Sequence, residues 1–217
     1  MTLETILKKI NAYLDFKYET PSSSSDVNRI TSYVNQAIDE WGDAYEWRQL
    51  KENYYFLATG NASVSLPTTF RNFLIDPVQE NNGSIEEFPE IKMEDRFQYE
   101  SDDEYCYVLG NNSDGYTAIF NALATNVTVS FLYQRYPSGV ATLSDSIETP
   151  SPDFVFKKAL AIELQTRFDE RWQAVDQEAQ RILNNMIGRE MIVRPGGENR
   201  QRRIGASAWR IGTSRGG

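Results

Sequence analysis

The spacing of apolar residues changes twice along this chain of 217 residues, and this change constrains the fold more than any other feature. Near both ends, apolar side chains recur every three or four residues, which is typical of amphipathic helices. Between residues 53 and 137 they recur every second residue, which is typical of strands that bury one face. The order predicts an α+β fold, in which an antiparallel sheet or small sandwich is inserted into a helical layer.

Two N-terminal helices are predicted, over residues 3–15 and 26–50. Thr2 is a suitable N-cap for the first helix. In the second helix, Gly42 weakens the middle by up to about 1 kcal/mol relative to alanine. Gly42 therefore either allows close packing against another element or marks an end, after which the helix restarts through Trp47.

One long helix is predicted over residues 152–188. Ser151 is its N-cap, Pro152 follows in the first turn, and Gly188 is the expected stop. At 1.5 Å per residue its length of ~54 Å exceeds the sheet that it could cover, so part of it packs on other helices or on a neighbouring subunit. The predicted apolar stripe comprises Leu160, Leu164, Phe168, Trp172, Val175, Ala179, Ile182 and Met186.

The β-rich insertion over residues 53–137 contains several strand-like runs. These runs cover residues 54–58, 62–66, 73–78, 105–109, 116–122 and 127–133, and a short helix is predicted over residues 91–99. The first two runs flank the turn Thr59-Gly60-Asn61 and predict a hairpin. Pro77 has no backbone donor, which places its strand at a sheet edge or ends the strand there. In the last run, Val127, Val129, Phe131 and Tyr133 share one face.

The charge distribution divides the chain into a predicted single domain, residues 1–191, and an extended basic arm, residues 192–217. The arm carries six arginines and one acid, net +5, whereas the domain carries 16 basic and 30 acidic side chains, net −14. Such an arm cannot bury enough apolar surface to fold alone, and its charge is typical of a docking element. Trp209, flanked by Ile204 and Ile211, is a suitable anchor for a partner's groove. The alternative is a disordered tail with one unrelated tryptophan.

The residue composition argues against an enzyme. The chain has no histidine, which removes Ser-His-Asp and Cys-His catalysis and histidine-ligated zinc. The lone cysteine, Cys106, is predicted to be an inert buried thiol. Two carboxylate clusters could support glycosidase chemistry or calcium binding, but solvated loops are the favoured interpretation. The clusters are Glu86, Glu87 and Glu90, and Asp102, Asp103 and Glu104. We therefore predict no catalytic residue, no cofactor and no metal site.

The sequence also bears on where the protein folds. No apolar run approaches the ~20 residues that a membrane span needs, which predicts no contact with a membrane. The N-terminus lacks the pattern of a signal peptide, so we expect the protein to fold in the cytoplasm.

Several short motifs follow one another in a distinctive order. The helix over residues 30–41 leads through residues 47–50 into a predicted hairpin that ends at residues 65–71. The strand over residues 127–137 and the helix start at Ser151-Pro-Asp-Phe154 come later. Over most of the chain between residues 27 and 189, this order resembles the head-to-tail adaptor, or connector, proteins of tailed bacteriophages.

The resemblance implies a virion protein, made in the host cytoplasm, that forms a ring of typically twelve copies beneath the portal. Such rings join the portal to further neck and tail proteins and leave a channel through which DNA passes without specific binding. C-terminal segments in this family commonly reach into the portal. The residues expected to dock there are Arg194, Arg200, Arg202, Arg203, Ile204, Trp209, Arg210, Ile211 and Arg215.

Other functions stay open on the sequence alone. The chain could be another neck or tail-tube component of a phage, or a nucleic-acid-binding module that uses the arginine-rich arm. The net charge of −14 on the domain argues against the second alternative, because it repels phosphates. An enzyme that uses Glu86, Glu87 or Asp102 is the third alternative.

Overall fold

A computed structural model of the chain describes residues 1–15, 17–59, 63–81, 83–111 and 114–192. These residues form four α-helices and seven strands, so the predicted α+β class is confirmed. In chain order the elements are α1 (Leu3–Asp15), α2 (Ser24–Ala44), β1 (Lys51–Leu57), β2 (Ser63–Ser65), β3 (Phe70–Asn81), β4 (Ser84–Glu87), β5 (Tyr105–Asn111), β6 (Gly115–Asn121), β7 (Thr128–Arg135), α3 (Pro152–Thr166) and α4 (Trp172–Ile192).

Helices α1 to α4 share one apolar core. α1 spans the predicted residues, and the Oγ1 atom of its N-cap Thr2 accepts a hydrogen bond from the Thr5 N–H at 3.4 Å. Buried side chains recur at spacings of three and four along α1 and α2, and each stabilises the fold by roughly 1.5–3 kcal/mol relative to exposure. Buried members of this core include Leu3, Ile6, Ile10, Ile30, Val34, Ile38, Trp41, Phe154, Leu160 and Leu164.

The second helix ends earlier than predicted. α2 ends at Ala44 instead of continuing to residue 50, and a separate 3₁₀ turn follows at Arg48–Leu50. The indole N–H of Trp47 donates to the carbonyl oxygen of Trp41 at 2.6 Å, and the two rings stack with their centroids 5.4 Å apart. This contact turns the chain back onto the end of α2, because it satisfies a carbonyl that a continuing helix would otherwise use.

Gly42 allows α2 to pack closely against the segment that follows β7. A Cβ atom at Gly42 would lie 2.8 Å from the Cγ and Cδ atoms of Pro137. Of the two roles predicted for Gly42, close packing is therefore confirmed, and the helix passes through this residue.

A turn interrupts the long C-terminal helix that the apolar stripe predicted. The prediction of one helix over residues 152–188 is wrong, because α3 ends at Thr166 and α4 begins at Trp172. The two helices run antiparallel and contact each other along their length, for example through the ion pair of Lys158 and Asp176 at 2.8 Å. Folding back lets both helices bury their apolar faces in one core, which a straight helix of ~54 Å could not do.

The turn between α3 and α4 has the hydrogen bonds of a Schellman motif. The Asp169 N–H donates to the Leu164 carbonyl and the Phe168 N–H donates to the Gln165 carbonyl, both at 3.0 Å. Phe168, which was predicted to lie on the apolar stripe of one helix, has a left-handed φ of 57°, and its side chain is 94 % exposed. The sequence pattern hides the turn because both helices continue the same apolar spacing on either side of it.

Gly188 does not end α4, contrary to the prediction, since the helix continues to Ile192. A Cβ atom at Gly188 would meet no atom within 4 Å, so nothing in the packing requires glycine there. Glycine inside a helix costs about 1 kcal/mol relative to alanine, which the contacts of the last turn offset.

The strands form two antiparallel sheets, with the orders β1-β7-β3-β4 and β2-β6-β5. The predicted hairpin between residues 54–58 and 62–66 is wrong, because β1 pairs with β7 and β2 pairs with β6. Alternation identifies the buried face of a strand but not its partner, and here the two strands belong to different sheets. Gly60 and Asn61 of the predicted turn lie outside the described residues.

The prediction that Pro77 marks a sheet edge or a strand end is also wrong. Pro77 lies within β3, and β3 lies between β7 and β4. The pairing of β3 with β7 shifts register between Ile75 and Val78, so the ladder requires no donor from Pro77. The Pro77 carbonyl accepts the Phe88 N–H at 2.8 Å.

The two sheets pack around a second, aromatic core, which makes them a small sandwich. Phe56 of the first sheet contacts Phe120 of the second, with ring centroids 5.6 Å apart. Of the residues predicted to share one face of this strand, Val129, Phe131 and Tyr133 are buried in this core, and Val127, directly before β7, is partly buried against it. Aromatic pairs at such distances contribute about 0.5–1.5 kcal/mol beyond the area that they bury.

Polar side chains join the helical layer to the first sheet. Arg71 Nη1 donates to the Gly42 carbonyl at 2.7 Å, and Gln134 Nε2 donates to the Tyr45 carbonyl at 3.2 Å. The sheet is thereby tied to the C-terminal end of α2. The division of the chain into one domain over residues 1–191 and an arm stays a prediction.

Candidate docking surfaces

The last turn of α4, from which the arm departs, is held against the 3₁₀ turn that precedes β1. Arg48 Nε donates to Glu190 Oε1 at 2.7 Å, and the Arg48 backbone N–H approaches the same oxygen at 3.4 Å. The Glu190 side chain is buried, whereas Arg48 is about half exposed. A buried carboxylate needs such a partner, because an unpaired one costs several times more than the bond itself contributes. The pair therefore fixes where the arm begins.

The predicted docking residues follow this turn and lie outside the described residues, which end at residue 192. They are Arg194, Arg200, Arg202, Arg203, Ile204, Trp209, Arg210, Ile211 and Arg215. The structure thus gives the base of the arm, and the docking role of these nine residues stays a prediction.

A second candidate surface, which we call the acidic segment, comprises residues 90–104 between β4 and β5. A 3₁₀ helix, Met93–Gln98, replaces the short helix predicted over residues 91–99. Large apolar side chains of the segment face solvent: Phe97 is 81 % exposed, Met93 43 % and Tyr99 38 %. Exposed apolar residues grouped in this way are typical of protein interaction sites.

The acidic segment is held on the second sheet by its backbone. Asn121 Nδ2 lies within hydrogen-bond distance of the carbonyls of Glu100, Ser101 and Asp103, at 3.3, 3.1 and 2.8 Å. The segment therefore presents its side chains from a fixed backbone, which lowers the entropy that a docking partner must remove.

The acidic segment carries negative charge that its own surroundings do not neutralise. It contains seven carboxylates and two cations, net −5. Six of these carboxylates belong to no ion pair among the described residues, whereas the buried carboxylates Glu163 and Glu190 are each paired with an arginine. The carboxylates without an ion pair are Glu94, Asp95, Glu100, Asp102, Asp103 and Glu104.

Sequence reasoning assigned the carboxylates of this segment to solvated loops and gave the segment no role. The available signal was the alternation of acids with Met93, Phe97 and Tyr99, which was interpreted only as a short helix over residues 91–99. That alternation could have indicated an exposed apolar surface. Only the structure establishes that these three side chains are exposed, with the Tyr99 ring lying against Tyr105 at 5.0 Å between centroids.

A different cluster, around the buried carboxylate of Glu163, is a structural clamp between α2 and α3. Arg29 donates to both Glu163 oxygens at 3.0 and 3.1 Å, and Arg167 Nε donates at 2.7 Å, which confirms the predicted Glu163–Arg167 pair. The hydrogen bonds to Glu163 raise the pKa of Arg29. Because these charges satisfy one another, the shallow depression that they line with Asp26 and Thr166 offers no free group to a ligand.

Two side chains of the sandwich that sequence analysis considered for chemistry, Cys106 and Glu86, are bound to neighbouring groups. Cys106 is fully buried, its thiol donates to the Phe88 carbonyl at 3.4 Å, and burial raises the pKa of that thiol, so the predicted inert cysteine is confirmed. Glu86 binds Gln79 across β3 and β4. Within the residues that the structure describes, no group of three or more acidic or cysteine side chains could hold a metal ion.

Over the described parts of the chain, no helix is both long and apolar enough to cross a membrane. A family model described as SU10 adaptor protein matches residues 1–210. The match includes both layers and extends through Trp209 and Arg210 of the arm. A search of the curated proteins finds no match.

Proposed function

Because this chain belongs to the SU10 adaptor protein family, a family of phage head-to-tail adaptors, we propose that its copies form a ring beneath the portal and dock their arms into it. As a member of this family the chain is a structural phage protein and a component of the virion. The ring holds twelve copies, joins the portal to further neck and tail proteins, and leaves a channel for DNA.

The proposal rests on the opposite charges of the arm and of the residues that precede it. The family model covers the preceding residues and most of the arm. The arm has a net charge of +5 and the preceding 191 residues have −14, and the family match reaches residue 210. Arginine and tryptophan are the residues most enriched where binding energy concentrates in protein interfaces. These properties support Trp209, with Ile204 and Ile211, as the anchor and the six arginines as its polar surround.

The Arg48–Glu190 pair supports the same assignment. It fixes the start of each arm, so every copy in a ring presents its arm at an equivalent position. Simultaneous docking of many arms raises the overall affinity by ~10²–10⁴ over one arm, without any new kind of contact.

The acidic domain supports a channel through which the genome slides. Carboxylates repel the phosphates of DNA, and a wall with a net negative charge lacks the lysine and arginine contacts that supply non-specific affinity. DNA then passes the ring without binding to it.

Deleting residues 193–217 tests the docking role. We expect the shortened protein to fold, because its helical core is complete, and to lose affinity for isolated portal rings by at least about 100-fold. Trp209→Ala tests the anchor, with Tyr55→Ala as its matched control, because Tyr55 is an exposed aromatic residue of the domain. Undiminished portal binding by the shortened protein would contradict the proposal.

Electron microscopy of the purified protein and of virions tests the ring and its place. Closed rings next to the portal support the proposal, whereas rings lower in the neck or in the tail tube indicate the alternative phage component. An arm-dependent affinity for DNA that falls steeply with salt would instead favour a nucleic-acid-binding module.

A further inference from the structure

The acidic segment exposes apolar side chains beside carboxylates, so a partner that suits it has both apolar and positively charged side chains. We propose that, before portal is present, the arm of the same chain docks on the acidic segment, and that portal competes with this segment for the arm. The inference rests on the proposed function, since it assigns a resting place to the element that docks into portal.

The two segments match in charge and in apolar content. The acidic segment has a net charge of −5 and residues 193–217 have six arginines and one acid, net +5. Phe97, Met93 and Tyr99 are exposed in the acidic segment, and the arm carries Trp209, Ile204 and Ile211 between its arginines. Arginine beside exposed carboxylates and aromatic rings gains both charge-assisted hydrogen bonds and cation–π contacts.

The environment of the carboxylates favours a cationic occupant. The two buried acids of the described chain are paired, Glu190 with Arg48 and Glu163 with Arg29. Six carboxylates of the acidic segment have no such pair. Within the segment, Arg96 lies over the Phe97 ring, with its guanidinium carbon 4.6 Å from the centroid, so this ring already accepts an arginine.

The arm is long enough to reach the acidic segment of its own chain. Its 25 residues span up to ~80 Å when extended, at about 3.3 Å per residue. A compact domain of this size has a radius of gyration of about 16 Å and hence a diameter of about 40 Å. Attachment to the same chain gives an effective concentration in the millimolar range, which favours the chain's own arm over that of another copy.

The contact shields the arginines until a stronger partner is present. A local affinity with Kd of about 100 μM, at an effective concentration of about 1 mM, leaves the arm free roughly one tenth of the time. The free protein therefore binds nucleic acid weakly despite its arginines, and a ring of portal subunits displaces the contact through many simultaneous arms.

Trypsin digestion of the full-length protein tests the proposal, because trypsin cleaves after arginine. We measure by mass spectrometry the rate of the first cut between Arg200 and Arg210. The segment variant combines Phe97→Ala with Glu94→Gln, Asp102→Asn and Glu104→Gln, whose side chains are exposed. At low salt we expect the segment variant to be cut about tenfold faster than the wild type. We expect raised salt to accelerate cutting of the wild type toward the same rate. The Debye length, over which charges attract, falls from ~30 Å at 0.01 M to ~3 Å at 1 M.

A matched control removes the same number of charges and one aromatic ring elsewhere. It combines Tyr55→Ala with Asp15→Asn, Glu80→Gln and Glu170→Gln, all of them exposed residues. We expect this control to retain the protection of the wild type. The proposal is overturned if the wild type and the segment variant are cut at the same rate. It is also overturned if the control variant is cut as fast as the segment variant. Protection that increases with protein concentration also overturns it, because the arm would then dock on another copy.

Portal binding separates this inference from the proposed function. If the arm rests on the acidic segment, the segment variant binds portal up to about tenfold more tightly than the wild type, because the competing site is lost. If trypsin cuts the arm of the wild type without protection but portal binding still depends on the arm, only the resting place on the acidic segment is refuted. Portal binding that survives deletion of the arm would refute the proposed docking, whatever the digestion shows.

Discussion

Arg48 and Glu190 lie 142 residues apart in the chain, yet Arg48 Nε is 2.7 Å from Glu190 Oε1. The pair joins the 3₁₀ turn before β1 to the last turn of α4. It thus holds the last turn of α4 against that 3₁₀ turn.

Replacing Arg48 by alanine should lower the free energy of unfolding by about 1–3 kcal/mol, because it leaves the buried Glu190 carboxylate without its charged partner. The additional change Glu190→Gln should recover part of this loss, since a neutral amide is easier to bury than an unpaired carboxylate. Urea denaturation of the two variants measures both effects. A change below 0.5 kcal/mol in Arg48→Ala would show that the pair is not needed to hold α4.

Replacing Phe168 by glycine should stabilise the protein by about 1 kcal/mol. Phe168 has a φ of 57°, which strains a residue with a Cβ atom, and its 94 % exposed ring has little packing to lose. Phe168→Ala keeps the strain and serves as the control, so its stability should match the wild type. Thermal unfolding compares the three proteins, and a destabilised glycine variant would mean that the Phe168 ring makes stabilising contacts.

Alanine should have opposite effects at two glycines of the helical layer. At Gly42 the new Cβ would meet the rigid Pro137 ring at 2.8 Å, so Gly42→Ala should destabilise by about 1–3 kcal/mol despite its better helix propensity. At Gly188 the Cβ meets nothing within 4 Å, so Gly188→Ala should stabilise by up to about 1 kcal/mol. Chemical denaturation measures the pair side by side, and effects of the same sign would contradict the assigned packing.

The loop before α3 should make stability fall in acid. The Asp145 carboxylate accepts the Thr142 hydroxyl and the backbone N–H groups of Thr142 and Ala141, which lowers the pKa of Asp145 to about 2. Because the folded pKa lies below the unfolded value near 4, this contribution is complete above pH 4 and is lost as the pH falls toward 2.

Asp145→Asn provides the measurement for this effect. The variant should be less stable than the wild type at neutral pH, and the difference should shrink between pH 4 and pH 2. Unfolding free energies across that range test the expectation, and NMR titration reports the Asp145 pKa directly. A constant difference at all pH values would show that the carboxylate charge is not involved.

Much of the local structure followed from the sequence. The shared face of Val129, Phe131 and Tyr133 and the span of α1 were predicted correctly, because burial of one face imposes its own period. The buried state of Cys106 followed from its place in a strand-like run. The candidate site was predicted less completely: the charge of the arm was evident from composition, but the exposed apolar surface around Phe97 was not.

The sequence by itself determined where the helical and the strand-forming regions lie, where charge separates, and that histidine-dependent catalysis has no residue to use, because these depend on residue type and local period. Tertiary structure alone decided that β1 and β2 join different sheets, and that the stripe through Phe168 folds back into two helices. It also decided that Glu190 meets Arg48 across 142 residues. The physical reason is that local periodicity defines which face a segment buries, whereas the partner for that face is chosen by the packing of the whole chain.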